Sequence, residues 1–94
     1  MIFMKTIGKK INKLKYKRVK IYWQDIVSNP EWMTLEKAKD QVYSWCEDTG
    51  YLLHKDPKKV VIFSSHSFDD DGDLTVGNTT AYPRCVVKKI EILK

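Results

Sequence analysis

The sequence predicts a mainly β domain, a small five-stranded barrel, and three observations favour that fold class. Val60-Val61-Ile62-Phe63 is the strongest β-forming run in the chain. A turn at Asp56-Pro57 precedes it, because proline fixes φ and pushes the residue before it out of the helical region. Residues 19–24 alternate with the period of a half-buried strand. A chain of 94 residues then forms one domain with one core.

A short helix is expected between the first strand, residues 19–26, and the second. Ser28-Asn29-Pro30 is a turn after the first strand, and Thr34 is the expected N-cap of the helix. The helix is expected to end near Gln41. Leu35, Ala38 and Val42 are expected to form a short apolar stripe. Trp32 and Met33, just before the N-cap, are expected to attach the helix to the barrel.

The other strands follow from similar patterns. The second is expected to bend at Thr49-Gly50 and to continue through Leu53. Strands are then expected at residues 60–67, 74–82 and 87–93, with an Asp-rich turn at 68–73 and one 3₁₀ turn at 83–86. Five strands, a short helix and a single turn before the last strand are typical of a small SH3-like or Sm-like barrel. The barrel domain is then residues 19–94, after a basic N-terminal arm at residues 1–18.

The net charge of +5 is unevenly placed along the chain. Residues 1–20 carry eight basic side chains and no acidic one, whereas residues 21–94 carry nine basic and twelve acidic ones, or −3. The basicity therefore belongs to the arm. Two interpretations stay open: a solvated lead-in, or a segment that orders on nucleic acid or on an acidic membrane surface.

The cysteine count and the hydropathy pattern predict a cytoplasmic protein. Cys46 and Cys85 are far apart, and both thiols are expected to be free. Met1-Ile2-Phe3-Met4 is too short for a signal peptide, and no apolar run is long enough to span a membrane. Because so short a chain buries a small core, we expect a homo-oligomer.

Motifs of enzymes are present only in fragments, so we expect no enzyme, no catalytic residue and no cofactor. Asp48-Thr49-Gly50 matches the aspartic-protease tripeptide, but Trp45-Cys46-Glu47 stand where those enzymes carry apolar strand residues. A strand bend at Gly50 explains the tripeptide. The serines and histidines of the chain show no nucleophile elbow.

No metal site is expected either. Residues 67–78 resemble part of an EF-hand loop, but Asn78 stands where a bidentate Glu is required, and strands flank the loop. A solvated acidic hairpin, with at most an adventitious Ca²⁺ or Mg²⁺ contact, is the interpretation that fits. The four side chains that could ligate zinc lack the close spacing of structural sites: Cys46, His54, His66 and Cys85.

Aromatic and basic side chains together suggest a ligand-binding face. Aromatic rings stack on bases and basic side chains meet phosphates in small barrels that bind nucleic acid. The residues that we expect to contact such a ligand are Trp23, Tyr51, Tyr82, Arg84, Lys88 and Lys89. The alternative for the aromatic residues is a place in the core or at a subunit interface.

The residue pattern of the chain after the basic arm resembles that of small proteins of unknown function that bacteriophages and prophages carry. The matching pieces are Trp23-x-Asp25-Ile26, Trp32, Thr49-x-Tyr51-Leu52, Ser64-Ser65 and Pro83-x-x-Val86-x-x-x-Ile90-x-x-Leu93. The resemblance covers about residues 19–94 and leaves the basic arm outside. The end of the chain is also similar to the closing strand of Sm-like barrels, without the Asn and the Gly-centred loop that contact RNA there.

The resemblance implies a role in host takeover or counter-defence, in the cytoplasm of the host cell. A non-enzymatic protein that binds nucleic acid or a nucleotide, and so sequesters a host defence signal, is the first expectation. The alternatives are an inhibitor that binds a host protein, and an oligomeric structural or virion-associated component.

Overall fold

The computed structural model describes residues 14–94, so most of the predicted arm lies outside the described residues. The described chain is mainly β, as predicted, with five antiparallel strands and one short helix. The strands are β1 (Arg18–Asp25), β2 (Ser44–Lys55), β3 (Lys59–Phe68), β4 (Leu74–Pro83) and β5 (Val87–Ile92). Helix α1 (Leu35–Lys39) lies between β1 and β2, and a 3₁₀ turn (Arg84–Val86) joins β4 to β5.

All five strands belong to one sheet, in the order β4-β3-β2-β1-β5. Every neighbouring pair is antiparallel. β4 and β5 form the two edges, and within residues 14–94 no ladder joins them. The single chain therefore forms an unclosed sheet.

The sheet curves at β2, which changes its partner along its length. Ser44–Tyr51 pairs with β1, and the stretch from Tyr51 to Lys55 pairs with β3. The β2–β3 register shifts between Leu52 and His54, so Leu53 is an extra residue on β2. A bulge of this kind bends the strand and increases its twist. The bend predicted at Thr49-Gly50 is wrong in position, because that stretch keeps an unbroken register with β1.

Gly50 serves close packing instead of a bend. A Cβ atom on Gly50 would lie 2.8 Å from the carbonyl oxygen of Phe63 and 3.0 Å from Cδ1 of Ile62. Such distances are shorter than ordinary van der Waals contact, so only glycine allows β3 to approach β2 this closely.

The core lies on the concave side of the curved sheet. Its main cluster of buried side chains alternates along β1 and β3 and includes one ring from β4: Val19, Ile21, Val60, Ile62 and Tyr82. The rings of Trp23 on β1 and Tyr82 on β4 are 5.5 Å apart, although two strands separate β1 from β4 in the sheet. In a flat sheet three strand spacings would separate them by about 14 Å. The curvature is therefore strong enough to bring distant strands together.

The β3–β4 hairpin extends past the rest of the sheet. Its register is unbroken from Lys59↔Pro83 to Phe68↔Leu74, whereas the ladder with β2 ends at Phe63. The turn is held by Asp69, whose carboxylate accepts hydrogen bonds from the backbone N–H groups of Asp71 (2.9 Å) and Asp73 (2.8 Å). Gly72 has a φ of +84°, a conformation that favours glycine.

Helix α1 begins as predicted and ends earlier. Thr34 is its N-cap and accepts a hydrogen bond from the backbone N–H of Lys37 at 3.3 Å. The helix ends at Lys39 and has no buried residue. The predicted attachment to the sheet is wrong for Trp32, which is 102% exposed. Leu35 and Val42 of the apolar stripe are 80% and 74% exposed.

Candidate anion-binding pocket

A pocket of about 270 Å³ lies where the 3₁₀ turn and β5 meet the end of β2. Four of its lining side chains are basic and two are aliphatic: Lys55, Arg84, Lys88, Lys89, Val87 and Ile90. Three of the four basic residues, Arg84, Lys88 and Lys89, are ones that the sequence analysis singled out. Lys55 is the one that it missed.

Local turn chemistry brings Lys55 and Arg84 together. The Asp56 carboxylate accepts hydrogen bonds from the backbone N–H groups of Lys58 (2.7 Å) and Lys59 (2.8 Å) and so fixes the tight β2–β3 turn. The carbonyl oxygen of Lys58 then accepts a hydrogen bond from the backbone N–H of Arg84 at 2.8 Å. The start of the 3₁₀ turn is therefore tied to the turn that follows Lys55.

The Asp56 carboxylate is an ionised acceptor in this turn. A hydrogen bond with the His54 ring at 2.7 Å lowers its pKa most, and the N–H groups of Lys58 and Lys59 lower it further. Together they take the pKa of Asp56 from 3.8 to about 2. The turn beside the pocket is thus formed with its negative charge in place at neutral pH.

Lys88 leaves the β5 ladder at a second bulge. Tyr22 pairs with Lys89 and Trp23 pairs with Val87, so Lys88 is an extra residue with no partner on β1. Bulges of this kind re-aim a side chain at the edge of a sheet. The Lys88 ammonium donates one hydrogen bond to the carbonyl oxygen of Cys85 at 3.0 Å, which leaves two of its three protons for a ligand.

The four cations of the pocket form no ion pair within the described residues. Among the described residues, none of its four cations lies within 4.0 Å of a carboxylate. Lys89 sits over the ring of Tyr22, 5.4 Å from its centre, which is a weak cation–π contact. The Nη1 atom of Arg84 is buried, and within residues 14–94 it meets no hydrogen-bond acceptor. A buried guanidinium nitrogen without an acceptor costs free energy.

Two of the predicted aromatic contacts lie in the core instead. Tyr82 is 3% exposed, and Trp23 is half-buried against it. Both donate hydrogen bonds to the same oxygen, Oδ2 of Asp48, and the bond from Trp23 Nε1 is 2.9 Å long. Burial and this carboxylate raise the pKa of Tyr82 well above its usual range. Contact of Trp23 and Tyr82 with a ligand stays a prediction, and in the structure both side chains pack in or against the core.

Tyr51 lies away from the basic pocket. Its ring stacks on Phe63 with 5.4 Å between ring centres and an interplanar angle of 27°. His66 meets the Tyr51 ring edge-on at 6.0 Å. The structure therefore brings together the basic half of the predicted ligand face, and none of its three aromatic residues lines the basic pocket.

The turn between β3 and β4 places three carboxylates close together, and all three are exposed to solvent. Carboxylate oxygens of Asp69, Asp71 and Asp73 lie within 4.8 Å of one another, and all three side chains are exposed. Asp69 already accepts the two backbone hydrogen bonds of the turn. The solvated acidic hairpin predicted from the sequence describes this arrangement.

Comparisons with protein-family models, with curated proteins and with solved structures find no match for this chain. Within residues 14–94, no helix combines the length and the apolar character that crossing a membrane requires. What the pocket binds has to be inferred from its side chains.

Proposed function

We propose that this protein binds a phosphate-bearing ligand, a nucleotide or nucleic acid, and that the basic pocket holds the phosphate. The observation that carries the proposal is the grouping of Arg84 with three lysines around one pocket, where none of the four forms an ion pair within the described residues and the buried Nη1 of Arg84 has no acceptor there. Guanidinium and phosphate match in geometry and form paired, charge-assisted hydrogen bonds. A phosphate group in the pocket would pair with the Arg84 guanidinium and neutralise the cluster.

A nucleotide suits the pocket better than a long nucleic acid. Proteins that track a nucleic-acid backbone carry basic side chains in a stripe or along one face. Here the cations gather in one pocket, and residues 21–94 carry a balance of −3. The lysines of the predicted arm would add unspecific attraction to a polymer.

In the cell, this function takes the form of sequestration. The resemblance to phage proteins supports a stoichiometric protein that withdraws a nucleotide signal of the host's defence, in the host cytoplasm. The pocket's aliphatic and cationic lining is suited to holding an anion. Native mass spectrometry of the protein purified from cells would show a bound mass of a few hundred daltons, and an empty protein would count against sequestration.

Inorganic pyrophosphate is the probe that isolates the phosphate site, because it carries no base. We expect calorimetry to show binding at about 50 mM salt that weakens at about 200 mM, since binding to an anion by a cluster of cations is screened. Arg84→Met and Lys89→Gln should each lower the affinity by about 10-fold or more. Lys39→Gln, an exposed change on α1, is the matched control and should leave binding unaltered.

A stability measurement separates a lost ligand contact from a lost fold. Arg84→Met removes a buried charge that lacks an acceptor, so the variant should melt no lower than the parent without anion. Pyrophosphate should raise the melting temperature of the parent and not of the variant. Absence of pyrophosphate binding to the parent, or an equal loss in Lys39→Gln, would refute the proposed site.

Protein binding is the second candidate function, and one observation favours it. The connection between β1 and β2 exposes several large apolar side chains that nothing in the described chain covers: Ile26, Trp32, Leu35 and Val42. Exposed apolar groups of this density are typical of surfaces that meet another protein. If a host protein is captured through this segment, Trp32→Glu should abolish capture while the pyrophosphate affinity is retained.

Closure of the barrel and self-association are proposed together. Unpaired edge strands offer rows of free backbone N–H and C=O groups to a further strand. β4 and β5 are both such edges here. Pairing of β4 in one copy with β5 in the next would satisfy both edges, and two copies joined in this way would close one shared barrel instead of a five-stranded barrel in each chain.

A further inference from the structure

A second pocket, of about 290 Å³, borders the basic one and shares Lys88 with it. It lies at the end of β1, where the chain leaves the sheet, and beside the 3₁₀ turn. Its apolar walls are Ile26, Tyr43 and Val86, and its polar side chains are Gln24 and Asp25. The basic pocket lacks an aromatic ring, whereas this neighbour has one.

The second pocket has the groups that hold a nucleobase. The Tyr43 side chain is 63% exposed, which leaves its ring free to stack on a base. Gln24 offers a hydrogen-bond donor and an acceptor. Asp25 accepts the backbone N–H of Ile26 on Oδ1 at 2.8 Å, and no hydrogen bond within the described residues engages its other oxygen.

The Lys88 bulge connects the two pockets. Because Lys88 is the extra residue of β5, its side chain is released from the ladder and lines both cavities. Its ammonium, 3.0 Å from the Cys85 carbonyl oxygen, stands beside a residue of the second pocket. A ligand with a phosphate on one side of Lys88 and a base on the other would occupy both pockets.

We infer that the ligand is a nucleoside phosphate whose base lies on Tyr43 and carries an exocyclic amino group that donates to Asp25. This inference rests on the proposed phosphate site and adds the identity of the rest of the ligand. A carboxylate only accepts hydrogen bonds at neutral pH, so it favours cytosine, adenine or guanine and gains nothing from the O4 of uracil.

Cytidine and uridine monophosphate make a matched pair, because they share a size and differ at the base edge. With inorganic phosphate as the third probe, we expect the parent to bind cytidine monophosphate about 10-fold more tightly than phosphate. It should bind uridine monophosphate about fivefold more weakly than its cytidine partner. Asp25→Asn should remove this preference, since an amide donates as well as accepts.

Truncation of the ring tests the stacking contact. Tyr43→Ala should bring both nucleotides down to the affinity of inorganic phosphate and leave phosphate binding as it was. Tyr43→Phe should restore nucleotide binding, which a general loss of structure would not allow. Trp32→Ala, a change at a fully exposed aromatic residue outside both pockets, should have no effect on any of the three probes.

The outcomes for the two proposals are distinct. If neither phosphate nor pyrophosphate binds the parent, the phosphate site itself fails. If they bind but the nucleotides bind no more tightly, or if Tyr43→Ala keeps the full nucleotide affinity, only the base pocket is refuted. Equal affinity for the cytidine and uridine forms in the parent refutes the part assigned to Asp25.

Discussion

Asp48 joins two strands that are not neighbours in the sheet. Its Oδ2 accepts hydrogen bonds from Trp23 on β1 and from Tyr82 on β4, and both donors lie in or against the core. Buried donors must be paired, because an unpaired one loses its water without compensation. Asp48, the aspartate of the protease-like tripeptide, therefore has a structural role, which is to hold Trp23 of β1 and Tyr82 of β4 together.

Asp48→Ala should lower the free energy of unfolding by about 2 kcal/mol, because it leaves both donors without their acceptor. Tyr82→Phe removes one of the donors, so the double variant should cost less than the sum of the two single changes. Urea unfolding of the four proteins measures this coupling. Asp70→Ala, an exposed change in the β3–β4 turn, is the control. Strict additivity would contradict the shared hydrogen bonding.

Asp56 makes part of the stability depend on pH. Its pKa in the folded protein is about 2, against 3.8 ordinarily, so folding favours its ionised form. The resulting stability is fully present above about pH 4 and is lost as the pH falls through about 2. The melting temperature of Asp56→Asn should therefore lie below that of the parent at neutral pH, and the gap should close in acid. A gap that stays constant down to pH 2 would contradict this, and Asp70→Asn should show no gap at all.

At the scale of elements, two strand glycines differ in what surrounds them. A Cβ on Gly50 would collide with the Phe63 carbonyl oxygen at 2.8 Å, whereas a Cβ on Gly77 would meet Ser65 at an ordinary 3.8 Å. Gly50→Ala should thus destabilise the fold by about 1–3 kcal/mol through overpacking. Gly77→Ala should be neutral or slightly stabilising, because alanine restricts the unfolded chain. Equal effects of the two changes in urea unfolding would show that β2 and β3 are not this close.

Strand positions follow from the sequence because their signals are local. The expected ends of β1, β3, β4 and β5 lie within one residue of those observed. Alternation also predicts the orientation of Trp23. It lies two positions after Ile21 and four after Val19, so its side chain is on the same face of β1 as these buried residues. The surroundings of α1 were not predictable in this way. Whether Leu35 or Val42 is buried depends on which other element packs against α1, and the hydrophobic periodicity of a single segment does not specify its packing partner.

The basic pocket was predictable only in part, for the same reason. Arg84, Lys88 and Lys89 lie within one short stretch, so their proximity needed no tertiary information. Lys55 is 29 positions before Arg84 and reaches the pocket only through the hydrogen bond between Lys58 and Arg84. The bulge that turns Lys88 out of the ladder is likewise a property of the β1–β5 pairing, which no single strand specifies.

At the scale of the whole molecule, the two free edges of the sheet predict association. If β4 and β5 pair between copies, native mass spectrometry should give a mass above that of one chain. Ile92 is 55% exposed on β5, and a lysine on an edge strand opposes pairing. Ile92→Lys should therefore shift the protein towards monomer without loss of its circular dichroism. Val42→Lys, also at an exposed apolar position, is the control and should leave the oligomeric state unchanged. A parent protein that is monomeric at high concentration would contradict edge pairing.

The reach of the β3–β4 hairpin beyond the core has a practical consequence. Residues 64–68 and 74–78 pair with each other and, among the described strands, with nothing else, and the Asp69–Asp73 turn at their tip is exposed. Extra residues placed there would lengthen a solvated loop and leave both pockets and the core contacts alone. The tip is thus a suitable position for an epitope tag or a fluorescent reporter in a functional protein.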